Sequence, residues 1–185
     1  MHRRELLHLL GAAALTPALA PLSAEQRFAL GRALHLRLGA PLRVLTPAQD
    51  ALVTRIAELI IPETETPGAT AVQVDGFIDL LLAEWYDAAD RDRFLRGLAA
   101  IDVEASHESG ALFVASGAAT QAALLTRWQA GTDDGESATA AYHRLRELTI
   151  YGYLTSERVT REITRPIIFH PAFEGCVPYA PGTVR

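Results

Sequence analysis

From Ser23 onward the apolar residues of this chain recur at helical spacing. Ser23 is placed to cap a first helix, with Gln26 three residues on as its reciprocal partner. That helix is expected to run to about Leu38 and stop at Gly39, with Pro41 confirming the break. Thr46-Pro47-Ala48-Gln49 is a second start signal: Thr46 caps, Pro47 suits the first helical position and Gln49 completes the box. Leu52, Ile56, Leu59 and Ile60 then form an apolar stripe, with Asp50, Thr54 and Glu58 on the opposite face, until Pro62 ends the helix.

A loop rich in Thr, Pro and Gly follows from Pro62 to Ala71. Phe77, Ile78, Leu81, Leu82 and Trp85 make the next apolar face. Asp90 is a candidate cap for a helix whose core side is Phe94, Leu98 and Ile101, with Arg91, Arg93 and Arg96 pointing elsewhere. Leu112-Phe113-Val114, between Gly110 and Gly117, reads as a short strand-like run. Leu124, Leu125 and Trp128 mark another helix, and Thr132-Asp133-Asp134-Gly135 an acidic turn. The last helix is expected from about Ala138 to Leu154. It becomes apolar on several sides near Leu148, Ile150, Tyr151, Tyr153 and Leu154, which means burial in the core or against another chain. Residues 164–185 carry Pro166, Pro171, Pro178 and Pro181 with Phe169, Phe173 and Tyr179 between them, a composition that forbids a helix and favours an extended arm.

The expected fold class is therefore all-α: an irregular bundle of about five or six helices over residues 21–163, with an extended Pro-rich C-terminal arm. A chain of 185 residues is one domain's worth. Its net charge of −5, with no basic cluster, argues against a nucleic-acid surface. All 17 basic residues are Arg, a pattern that fits a GC-rich coding bias or bidentate contacts at a partner surface.

The chain opens on a short basic head, Met1-His2-Arg3-Arg4, and a Leu- and Ala-rich stretch to Ala20. Arg3 and Arg4 followed by Glu5-Leu6-Leu7 look like a twin-arginine export signal, and Ala18-Leu19-Ala20 like a signal-peptidase triplet. An amphipathic first helix with a basic end is the plainer alternative. Cleavage would remove residues 1–20. The apolar part is too short to span a bilayer permanently, so the protein would meet the membrane only through partners and the translocon.

The residues offer little chemistry. With a single cysteine, Cys176, a thiolate-held zinc or iron–sulfur site within one chain is excluded. None of the six histidines makes an i, i+4 metal pair, and the dinucleotide, phosphate-loop and serine-elbow motifs are missing. Glu63 and Glu65 form a conceivable acid/base pair, or loop carboxylates that accept backbone N–H bonds. Asp133, Asp134 and Glu136 lack EF-hand spacing and suit a helix N-terminus better than calcium. His170 and Cys176 would need rigid support that a Pro-rich tail does not give.

Three blocks of sequence resemble the gluconate 2-dehydrogenase subunit 3 family. The first is Leu59-Ile60-Ile61-Pro62-Glu63-Thr64-Glu65-Thr66-Pro67-Gly68-Ala69. The second is Phe77-Ile78-Asp79 with Trp85-Tyr86, and the third Tyr151-Gly152-Tyr153-Leu154-Thr155-Ser156-Glu157 with the closing Phe173-Glu174-Gly175-Cys176-Val177-Pro178. The resemblance implies a periplasmic assembly in which a large flavoprotein of the glucose–methanol–choline type, carrying FAD, oxidises a sugar or sugar acid. A multihaem cytochrome c, carrying haem c, passes the electrons on. It implies that the small subunit holds no catalytic, cofactor or metal residues and helps the flavoprotein mature and cross the twin-arginine translocon. On that footing Tyr151, Tyr153, Phe169, Phe173, Cys176 and Tyr179 are the expected partner-binding residues. Cys176, unpaired in an oxidising compartment, is expected either to bond the large subunit or to be a buried free thiol.

Overall fold

A computed structural model describes residues 19–132 and 137–164. It is all-α, with no strand among those residues. Six longer helices follow one another: α1 (Ala24–His35), α2 (Pro47–Ile60), α3 (Val74–Glu84), α4 (Ala88–Ser109), α5 (Ala118–Ala130) and α6 (Ala138–Thr155). A short α7 (Glu157–Val159) then runs into a π-helical turn, Thr160–Thr164.

Both capping boxes form. Ser23 accepts from the Gln26 N–H while the Gln26 side chain reaches back to the Ser23 N–H, and Thr46 and Gln49 do the same for α2 with Pro47 in the first turn. Ser137 caps α6 through the Ala140 N–H.

Three local expectations are corrected. α1 ends at His35, and the chain reaches Gly39 (φ 92°) through a series of turns rather than as helix to Leu38. α4 is capped by Asp87, whose carboxylate accepts from the Asp90 N–H at 2.8 Å; Asp90 instead pairs with Arg93. Cap and first-turn acid were exchanged because both carboxylates are correctly spaced from the apolar face. Phe113–Ala115 is a 3₁₀ turn, not a strand. Among the described residues there is no strand for it to pair with, and its backbone is held by side chains: Asp102 takes the Phe113 N–H, and the buried Gln121 donates to the carbonyls of Phe113 and Ser116.

α6 is the hub. It packs against each of α1 to α5, which explains its apolar residues on every side. Close approach is bought with small residues: a Cβ on Gly97 of α4 would sit 2.7 Å from the Ala141 Cβ, and one on Gly31 of α1 would sit 2.5 Å from the Thr155 hydroxyl oxygen. Phe113, Trp128 of α5 and Tyr142 of α6 make a series of tilted ring contacts, with centroids 5.8 and 6.1 Å apart. The C-terminal arm, the first eighteen residues and the acidic turn at 133–136 lie outside the described residues.

Candidate functional site

Of the segments that carry the family resemblance, the three that lie within the described residues are far apart in sequence and meet in the fold. The first is the loop after α2. Glu58, on the last turns of α2, folds over it: one carboxylate oxygen accepts the Glu63 N–H at 2.9 Å and the other the Thr70 N–H at 3.0 Å. The loop passes so close that a Cβ on Gly68 would lie 2.5 Å from the Glu58 carboxylate and 2.7 Å from the Glu63 nitrogen, so only glycine fits. From the other side, the Tyr153 hydroxyl donates to the Pro67 carbonyl at 2.8 Å. Gln73, left-handed at φ 54°, then turns the chain from the Thr70–Val72 3₁₀ turn into α3.

The second segment is α3. Phe77 is buried, stacked on His35 at 4.9 Å and edge-on to Tyr151 at 5.2 Å. A Cβ on Gly152 would meet the Phe77 ring at 2.7 Å, so α3 and α6 touch at this point. Asp79, only 2 % exposed, accepts three consecutive backbone N–H groups: Arg43 at 2.7 Å, Val44 at 2.9 Å and Leu45 at 2.8 Å. It thereby fixes the α1–α2 connection onto α3. Glu84 closes the same connection from outside with Arg37 and Arg43.

The third segment is the end of α6. Tyr151 donates to the Arg27 carbonyl at 2.6 Å, and burial pushes its hydroxyl pKa up. His35 Nε2 lies 2.7 Å from the Gly152 carbonyl, which can only accept, so Nε2 carries the proton. Burial lowers the His35 pKa, against the opposing effect of that bond. Ser156 caps α7 through the Val159 N–H.

Of the residues expected to bind a partner, Tyr151 is 0 % and Tyr153 7 % exposed, and both hydroxyls are engaged within the chain. Both side chains are thus part of this chain's own core. Phe169, Phe173, Cys176 and Tyr179 lie outside the described residues, as do Arg3, Arg4 and His170. Glu63 and Glu65 are exposed, and neither is the loop's organising carboxylate. That role belongs to Glu58, assigned from the sequence only to a polar face. Its signal was its position one turn before a Pro- and Gly-rich loop full of N–H groups without helical partners. An open groove beside this junction is lined by Arg32, His35, Leu36, Gln73, Thr155 and Arg158. Among the described residues no group of His, Cys, Asp or Glu is arranged to hold a metal, and no helix is long and apolar enough to cross a membrane.

The Glu58 clasp makes the loop pH-sensitive. Burial pushes the carboxyl up, but bonds from Thr70 and the Glu63 N–H, with Arg55 nearby, outweigh it and hold the pKa below the usual range. A depressed carboxylate contributes stability above its unfolded pKa and loses it as pH falls through the folded one. The wild type's advantage over Glu58→Gln in urea denaturation should therefore be full above the ordinary Glu value of about 4.3 and shrink below it. A difference independent of pH would rule out the clasp as the cause.

The segments that meet here are an architectural joint, which holds a loop, a helix pair and the end of α6 in one arrangement. No curated protein and no solved structure matches the chain. The family model for gluconate 2-dehydrogenase subunit 3 matches residues 47–170, a span that includes the Glu58 loop, Asp79 and the end of α6, and the chain belongs to that family of small dehydrogenase-complex subunits.

Proposed function

We propose that this chain is the non-catalytic small subunit of a periplasmic FAD-dependent sugar or sugar-acid dehydrogenase, aiding maturation and twin-arginine export of the catalytic flavoprotein. The observation that carries the reading is the family match over residues 47–170. The polar groups of the joint support it: Glu58, Asp79, Tyr151 and Tyr153 each bond to backbone of a distant segment and so serve the architecture. In this reading FAD sits in a large flavoprotein of the glucose–methanol–choline type and haem c in a cytochrome partner. Exposed Leu36, Leu112 and Val114 offer apolar surface to the large subunit, besides the arm with Phe169, Phe173 and Tyr179.

Purification of the tagged chain from periplasm tests this. It should bring down a much larger protein with a flavin spectrum, while the chain expressed alone shows neither flavin absorption nor sugar oxidation. A chain that purifies alone and itself carries a stoichiometric flavin or haem would overturn the reading. The same preparation addresses Cys176, which we place in a disulfide to the large subunit, formed only after both chains reach an oxidising compartment. A non-reducing gel should show a band at the summed mass that collapses with reductant and is absent for Cys176→Ser. Two separate bands from a sample protected against exchange would exclude the bond.

A further inference from the structure

The processing site suggested by Ala18-Leu19-Ala20 would be cut between Ala20 and Pro21. In the folded chain that bond is built into the domain. Leu19 is 0 % exposed and belongs to the hydrophobic core. The Leu22 N–H bonds to the Leu19 carbonyl at 3.1 Å, closing a tight turn whose middle peptide is the bond to be cut. Arg27, on the first turns of α1, holds the same segment from the side, its Nε 3.2 Å from the Leu19 carbonyl and its Nη2 3.2 Å from the Ala20 carbonyl. Arg27 is itself placed by the joint, since Tyr151 donates to its backbone carbonyl.

A peptidase that reads a small-x-small triplet must take the chain extended, with its side chains and backbone free to pair with the enzyme. Here the central side chain is in the core, the backbone is bent and both carbonyls next to the bond are occupied. We propose that the fold masks this site: once α1 has docked, the Ala20–Pro21 bond stays intact, and the N-terminus of the exported protein lies at or before Leu19. The inference rests on the export reading for its biological setting. The twin-arginine route moves proteins already folded, so the chain would reach the peptidase in its masked state. Processing after Ala20 would then report a failure to fold, because only opening of the Leu19–Arg27 segment exposes the bond.

Pro21 complicates the test, because a proline after the cut bond hinders peptidases whether or not the site is masked. The comparison is therefore made with Pro21→Ala. The full-length variant, purified from cytoplasm, and a synthetic peptide of its residues 1–30 are each treated with purified signal peptidase in detergent, and products are read by intact mass. The peptide should be cut after Ala20, and the folded chain at least roughly a hundredfold more slowly, since cleavage tracks the population of the opened state. Adding Arg27→Ala, with folding checked by circular dichroism, should raise the rate in the full chain roughly tenfold, as expected for loss of charged hydrogen bonds. Equal rates for peptide and folded chain would overturn the proposal, and so would a peptide that resists as firmly as the chain, since nothing would then be masked. An unchanged rate with Arg27→Ala would overturn the part assigned to Arg27. None of these arms requires export, so they stand apart from the export reading, which fractionation tests separately. In the exported Pro21→Ala protein, an N-terminus at residue 21 would sink the idea, and one at or before Leu19 would bear it out.

Discussion

Asp79→Ala should lower stability by about 3–5 kcal/mol, because three neighbouring N–H groups lose a charged acceptor at once. Of the three, Leu45 is buried and has the least access to replacement water, whereas Arg43 is exposed and recovers part of its loss. Domains of this size have only about 5–15 kcal/mol in hand, so the variant should melt on the order of 10 °C lower or fail to accumulate. Asp79→Asn keeps one oxygen acceptor and should fall between wild type and Ala. Urea denaturation with an unchanged m-value checks the prediction. A loss below about 1 kcal/mol for Asp79→Ala would mean that the 43–45 backbone finds other partners and that Asp79 does not fix the α1–α2 connection.

Changing Arg3 and Arg4 together to Lys should leave both this chain and the dehydrogenase activity in the cytoplasm, a fall of roughly tenfold or more in the periplasmic fraction. The substitution conserves charge, so a loss would point to recognition of the guanidinium pair and not to a general need for a basic head. The informative measurement is the location of the large subunit, by immunoblot of fractionated cells. Its retention alongside this chain is the expected result of joint transport. A large subunit that arrives in normal amount while this chain is stranded would dispose of the co-transport proposal and leave the small-subunit assignment standing.

Much of the fold was legible from the sequence, for a definable reason. The capping boxes at Ser23–Gln26 and Thr46–Gln49 join groups three residues apart, so nothing distant can overrule them cheaply. The extent of α6 was equally plain, because its apolar run is long and bounded. What stayed open was anything decided at a distance. Leu112-Phe113-Val114 is too short for periodicity to separate strand from turn, and the 3₁₀ form follows from Asp102 and Gln121, which local sequence does not place there. Tyr151 and Tyr153 were apolar enough for either core or interface. Only the arrival of Arg27, 124 residues away, and of Pro67, 86 residues away, puts them inside. Glu58 and Asp79 were polar positions on amphipathic helices. They become organising groups because loops with unpaired N–H donors are brought over them, and a buried donor must find an acceptor. Helix identity here is a matter of hydrogen bonds between near neighbours. The joint is a matter of which distant backbone each carboxylate and hydroxyl satisfies, and that choice exists only after the helices have packed.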